Sequence, residues 1–253
     1  MSGLLYGHCA DNHPSTSPVE MCVSFWDVMA SAADQGDTFK GWTREDVIRK
    51  WTGYATEVAN RYLSRPNYLR IGDRPVLMHG YVHTMTFYGK FGVSPAEIVQ
   101  TVRNVIPDAY LIATATAREV RPLLKSWGFD ACTDYLLHGK GWDDTMATYR
   151  WAWDQGIQLA KETGLHYWVP CTSGYDGRAW DTPESRAGFS HVPTPEQFAA
   201  HVREARKFAS DNRKWTLGRL IYYSLNEFGE QVTPLEPTVR NGDAYLRAFR
   251  SAA

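Results

Sequence analysis

Short apolar runs alternate along this chain with longer amphipathic stretches, and that rhythm restricts the fold more than any single motif does. Met21 to Trp26, Pro75 to His79, Tyr110 to Ala115, Asp130 to Leu136, His166 to Cys171 and Leu217 to Leu225 have the length and the β-branched and aromatic content of buried strands. The stretches between them carry helix start and stop signals. Arg44 to Leu63 follows the cap Thr43, Ser94 to Val105 opens Ser-Pro-Ala-Glu, Arg118 to Trp127 stops at Gly128, and Thr145 to Thr163 stops at Gly164. Thr194-Pro-Glu-Gln opens a further helix reaching about Asp211, and Asp243 to Arg250 forms a terminal amphipathic segment. Strands separated by helices of this length must run parallel, each covered by its own helix, which leaves a doubly wound α/β sheet or a TIM-type (β/α) barrel. Neither G-x-G-x-x-G nor G-x-x-x-x-G-K-[ST] follows any strand, so the usual nucleotide-binding reason for a doubly wound sheet is missing and the barrel is the expected fold.

Six strands are two short of the eight in a closed barrel. Met1 to Pro18 reads as a helix remnant and loop, so the expectation is one domain over residues 1–253, a barrel that is N-terminally incomplete. A homo-oligomer is one way to cover its open edge.

Composition bounds the partners. At 253 residues and 43% hydrophobic content the chain can bury a substantial core. A net charge of -1 with dispersed Lys and Arg gives no footprint for nucleic acid. No apolar run is long enough to cross a membrane and no export signal follows Met1, so a cytoplasmic protein is expected. The four cysteines, Cys9, Cys22, Cys132 and Cys171, are too scattered for a zinc site or a disulfide framework. No cofactor is expected.

In a barrel the chemistry gathers at the C-terminal ends of the strands. Leu220 to Leu225 ends in Asn226, Glu227, Phe228, Gly229 and Glu230, placing two carboxylates three positions apart where a strand gives way to a loop. Glycoside hydrolysis needs one carboxyl group to protonate the leaving oxygen and a second, ionised one to supply or assist a nucleophile, which makes Glu227 and Glu230 the catalytic candidates. A Glu-x-x-Glu also arises readily as a solvated helix start. Aromatic company, Tyr222 and Tyr223 before the pair and Phe228 within it, supplies flat faces suited to sugar rings. Other strand ends offer Trp26 and Asp27, His79 and Tyr81, Asp134, and the loop Gly174-Tyr175-Asp176-Gly-Arg178, whose Asp176 and Arg178 suit sugar hydroxyls. Asp27 and Asp134 fit equally well as caps or turn residues. Trp142, in the loop Gly139-Lys-Gly-Trp-Asp-Asp144, is a further candidate for stacking on a sugar, whereas Trp151 and Trp153 fall in a helical pattern that packs. His79 and His83, four apart, raise a metal-dependent hydrolase with Asp27, but the segment lacks the H-E-x-x-H helix that such a site uses.

Tyr223-Ser-Leu-Asn-Glu-Phe-Gly-Glu230, followed by Leu235-Glu236-Pro237 and Tyr245-Leu246, resembles the Asn-Glu-Trp-x-Glu, Leu-Glu-Pro and Tyr-Leu signature of glycoside hydrolase family 99-like proteins, which include endo-α-mannosidases. Arg65-Pro-Asn-Tyr-Leu-Arg-Ile-Gly-Asp-Arg-Pro-Val-Leu77 and Gly174-Tyr-Asp-Gly-Arg178 resemble two further stretches of that family in the same order. The resemblance runs from about Met21 to Phe249 and sets the start of this chain near the family's third strand. It implies a TIM-type barrel and a retaining hydrolase of an α-linked oligosaccharide or polysaccharide, with mannose as a candidate sugar. It further implies that Glu227 accepts the proton of the substrate's own 2-hydroxyl while Glu230 acts as general acid and then base, with Asn226 and Glu236 among the substrate-binding residues. Phe228 stands where the family commonly has Trp, and the Gly174 loop lacks an Asn-Thr-Pro. A non-hydrolytic glycan-binding or accessory protein of polysaccharide metabolism is the alternative.

Overall fold

Alternating strands and helices predict parallel pairing, and strand Arg74–Gly80 runs parallel to Val23–Trp26 and to Tyr110–Thr114, as Val169–Thr172 does to Leu220–Tyr223. The computed structural model describes residues 22–26, 39–115, 118–135, 137, 139–175, 192–223, 239 and 241–252. The chain divides into two compact units, Met1–Cys132 and Thr133–Ala253. In the first, β1 (Val23–Trp26) is followed by α1 (Arg44–Arg61), β2 (Arg70–Ile71), β3 (Arg74–Gly80), a 3-10 helix (Val82–Phe91) and α2 (Pro95–Val105). Then come β4 (Tyr110–Thr114), a second 3-10 helix (Arg118–Leu123) running into α3 (Leu124–Trp127), and β5 (Ala131–Thr133) at the boundary. Spatial order is β1-β3-β4-β5. β3 lies parallel to β1, with Phe25 opposite His79, and parallel to β4, with His79 opposite Ala113. β2 folds back antiparallel on β3 through Gly72, whose φ of +61 suits a residue without Cβ.

The sequence accounts for these elements locally. Thr43 and Asp46, and Ser94 and Glu97, form reciprocal capping boxes that satisfy the first N–H groups of α1 and α2. Trp51, Ala55 and Val58 turn the buried face of α1 inward, and all five residues of β4 are buried, as a parallel strand covered on both sides requires. At the N-terminal end of β4, Asp130 fixes the strand register. Its Oδ2 accepts from the Leu111 N–H at 2.9 Å and from Arg103 at 2.8 Å, while Oδ1 meets Arg74 at 2.8 Å. That cluster braces the N-terminal end of β4.

The second unit holds α4 (Trp142–Thr163), β6 (His166–Tyr167), β7 (Val169–Thr172), α5 (Pro195–Asp211), α6 (Arg213–Thr216), β8 (Leu220–Tyr223) and α7 (Ala244–Ser251). β7 and β8 are parallel, with Val169 opposite Leu220 and Thr172 opposite Tyr223. The run His166 to Cys171, read from sequence as one strand, is two, broken at Trp168. Thr194 and Gln197 close a capping box on α5, whose Phe198, Ala199 and Val202 pack with Tyr245 and Ala248 of α7.

Gly156, inside α4, permits that helix to lie directly on β6. A Cβ there would stand 2.4 Å from ring carbons of Tyr167. Alanine gains about 1 kcal/mol of helix propensity over glycine, but overpacking a tight core costs about 1–3 kcal/mol, so Gly156→Ala is expected to lower stability by about 1 kcal/mol. Thermal unfolding of the variant checks this, and a raised midpoint would mean that the Tyr167 ring yields freely.

Candidate active site

Each unit carries aromatic and hydroxyl groups at the C-terminal ends of its strands. In the first unit, β3 ends at Gly80 and Tyr81 follows with φ 53 and ψ 53, the left-handed conformation in a residue that has a Cβ. Such a conformation costs on the order of 1 kcal/mol or more and persists only where surroundings enforce it. Here the Tyr81 carbonyl accepts from the Thr84 N–H at 2.9 Å and from Thr84 Oγ1 at 2.8 Å, and the Tyr81 and His83 rings meet edge-on at 5.8 Å. Tyr81 is half-buried at the strand end where sequence reasoning put it.

His79 has a different setting. Its imidazole stacks on the Trp51 indole at 5.1 Å and lines a small apolar cavity of ≈ 20 Å³ with Phe25, Leu77 and Met85, so its side chain belongs to the helix-facing layer of the sheet. Among the described residues no group of three His, Cys, Asp or Glu side chains converges as a metal site would require. Trp26 ends β1 with its backbone opposite Gly80.

In the second unit, β7 and β8 end level with each other. Tyr222 Oη donates to Ser173 Oγ at 2.6 Å, fastening the residue after β7 to β8. Gly174, with φ +106, turns the chain after β7 and precedes the half-buried Tyr175. Thr172 Oγ1 accepts from the Gly174 N–H at 3.1 Å and holds that turn. Tyr223 closes β8 and meets Tyr135 edge-on at 4.8 Å. Asp134, fully buried, accepts from Tyr167 Oη at 2.8 Å. Burial raises the pKa of both Tyr149 and Tyr222, keeping these phenols protonated. Cys132 and Cys171 are likewise pushed up to about 12 by burial, which makes them inert thiols. Asp27, Asp176, Arg178, Asn226, Glu227, Glu230 and Glu236 lie outside the described residues.

Trp142 is not a loop residue. It is the first residue of α4, and its indole stands at 89° to the imidazole of His201 on α5, 5.8 Å away. Sequence reasoning passed over His201, although a histidine on the same helical stripe as Phe198, Val202 and Ala205 is a visible irregularity. The ring stacks on Trp153 at 5.6 Å and meets Tyr149 at 5.1 Å, and its Nε2 accepts from the Thr172 N–H at 3.3 Å.

Burial pulls the His201 pKa down to about 4, against a rise from nearby Glu204 and a further fall from Arg150. With the folded value below the unfolded one, acidification protonates the unfolded chain first. Stability from this group is therefore complete above about pH 6.5 and lost as pH falls toward 4, by up to about 3 kcal/mol. Urea midpoints at pH 7 and pH 4.5 should differ less in His201→Phe than in the unaltered protein, and equal differences would refute the buried neutral imidazole.

No protein-family model and no curated protein sequence matches this chain. Solved structures do. The GH99 endo-α-mannosidase from Bacteroides thetaiotaomicron superimposes with a TM-score of 0.61 at 16% identity, over 94% of this chain and 65% of that one. The chain has the fold of that GH99 enzyme. The same enzyme in complex with bis-tris propane gives 0.59 at 16% identity, over 94% of this chain and 69% of that one, and a glycoside hydrolase-like protein gives 0.57 at 14% over 87% and 64%. The chain thus spans about two thirds of the GH99 structure's length, and at these identities the likeness speaks to architecture. The GH99 fold agrees with the mixed α/β, mostly parallel arrangement of the strands described above. No helix among the described residues is long and apolar enough to cross a membrane.

Proposed function

We propose that this chain is a glycoside hydrolase of the family 99 kind, built on a (β/α) barrel and acting on an α-linked glycan through Glu227 and Glu230. The observation that carries the reading is the position of the Asn226-Glu227-x-x-Glu230 run. It begins three residues after Tyr223, the C-terminal end of a strand paired in parallel register with β7, in a chain that shares the fold of an endo-α-mannosidase. In this reading Glu227 takes the proton of the substrate's 2-hydroxyl as that oxygen attacks the anomeric carbon. Glu230 protonates the departing oxygen and then deprotonates the water that opens the intermediate, so configuration is retained. Tyr81, Tyr175 and Tyr223, with Trp26, Asp27, Asn226, Asp176, Arg178 and Glu236, are the proposed sugar contacts. His79, packed on Trp51, fits support of the sheet better.

The test is hydrolysis of α-linked mannose oligosaccharides and aryl α-glycosides, with the anomeric configuration of the first product followed by NMR. Retained configuration and released reducing ends support the reading. Sugar binding by calorimetry with no product over long incubation would assign the accessory, non-hydrolytic role instead.

A further inference from the structure

Between α4 and α5 lies a surface cleft of ≈ 320 Å³ lined by Trp142, Asp143, Arg150, Gln197, His201 and Glu204. That volume is at the small end of the roughly 300–1,000 Å³ typical of small-molecule sites.

At its inner wall is a buried histidine with an incomplete hydrogen-bond set. His201 is 2% exposed, and its Nδ1 has no hydrogen-bond partner among the described residues. Because Nε2 accepts from the Thr172 N–H, the proton of the neutral ring belongs on Nδ1, leaving a buried donor without an acceptor. Such a group is costly unless a bound molecule supplies an oxygen.

The other lining groups define that molecule. Arg150 is already spent on Glu204, Nε to Oε1 at 2.5 Å and Nη2 to Oε2 at 2.9 Å. With Asp143 added, the wall carries one net negative charge, which disfavours phosphate, sulfate or a carboxylate. Gln197 Oε1 accepts from the Thr194 N–H at 2.8 Å, and its amide N–H groups remain as donors. Asp143 and Glu204 accept, and the half-buried Trp142 presents an aromatic surface. Donors, acceptors and an indole around a cleft without spare positive charge suit a neutral, hydroxyl-rich ring.

We propose that the α4–α5 cleft is a saccharide-binding site, with a sugar against Trp142 and a hydroxyl oxygen accepting from His201 Nδ1–H. The choice of a sugar among neutral hydroxylated ligands rests on the glycan reading above. Its role is to hold a glycan.

The test uses the full chain carrying Glu230→Gln, so that no sugar is consumed, with the Trp142 indole and His201 imidazole followed by ¹⁵N-resolved NMR. Titration with methyl α-mannopyranoside and an α-linked mannotetraose is expected to shift both signals saturably and to slow exchange of the Nδ1 proton. Gln197→Glu keeps the oxygen that caps α5 but removes the amide donors, and should weaken binding about tenfold. Trp142→Ala should abolish the His201 shift. Signals unmoved by either sugar, or moved by inorganic phosphate instead, would overturn the proposal. Hydrolysis by the unaltered protein without these shifts defeats this site alone, whereas the shifts together with no hydrolysis by the unaltered protein defeat the hydrolase reading alone.

Discussion

Glu230→Gln is expected to lower kcat/KM on an α-linked oligosaccharide by about 10²–10⁴-fold, the usual contribution of a general acid. An amide cannot donate a proton to a departing sugar oxygen, so the loss should scale with how much the leaving group needs one. A nitrophenyl glycoside departs as a stable anion, and on that substrate the same variant should retain far more of its activity. Glu227→Gln should behave differently. A base that deprotonates the 2-hydroxyl is needed whatever the leaving group, so its loss should be similar on both substrates. The pH profile gives a second readout: loss of the basic limb in Glu230→Gln but of the acidic limb in Glu227→Gln. Equal turnover by the three proteins would end the assignment.

Much of the architecture was legible because its determinants are local. Thr43 with Asp46, Ser94 with Glu97 and Thr194 with Gln197 each start a helix where the capping pattern says, and the buried run Tyr110 to Thr114 is a strand. The start of α4 was missed by three residues for a physical reason. Gly141 caps it without a side chain, while Asp144 Oδ2 and Thr145 Oγ1 reach back to the N–H groups of Lys140 and Gly139 at 2.7 and 3.0 Å. The acceptors lie inside the helix instead of before it, and that placed Trp142 in a loop on paper and on α4 in the structure. Likewise, a strand pattern does not say which face a residue takes. His79 sits two residues after Leu77, on the layer that packs against α1, and only the position of Trp51 settles that its ring is used for stacking. His201 was overlooked because its environment is tertiary: Trp153, Tyr149 and Thr172 are all far from it in sequence.

Trp51→Ala is expected to destabilise the protein by about 3–5 kcal/mol, the range for removing a large aromatic from a core. The indole is fully buried and sits at the centre of the first unit. It meets Phe25 at 6.1 Å, Tyr54 at 5.7 Å and Tyr88 at 6.2 Å edge-on and stacks with His79 at 5.1 Å, while Lys50 Nζ lies 5.7 Å above its ring. Trp51 and His79 also border the ≈ 20 Å³ apolar cavity, so truncation would enlarge an existing void. Trp51→Phe separates the two parts of the indole's contribution. Trp51 Nε1 has no hydrogen-bond partner among the described residues, so losing it costs no bond there and relieves a buried unsatisfied donor. The phenylalanine variant should therefore lose only packing volume, about 1–2 kcal/mol, and keep most of the stacking with His79. Urea unfolding at pH 7 ranks the three proteins. A phenylalanine variant as unstable as the alanine one would mean that the Nε1–H, and not the ring's bulk, holds α1 to the sheet.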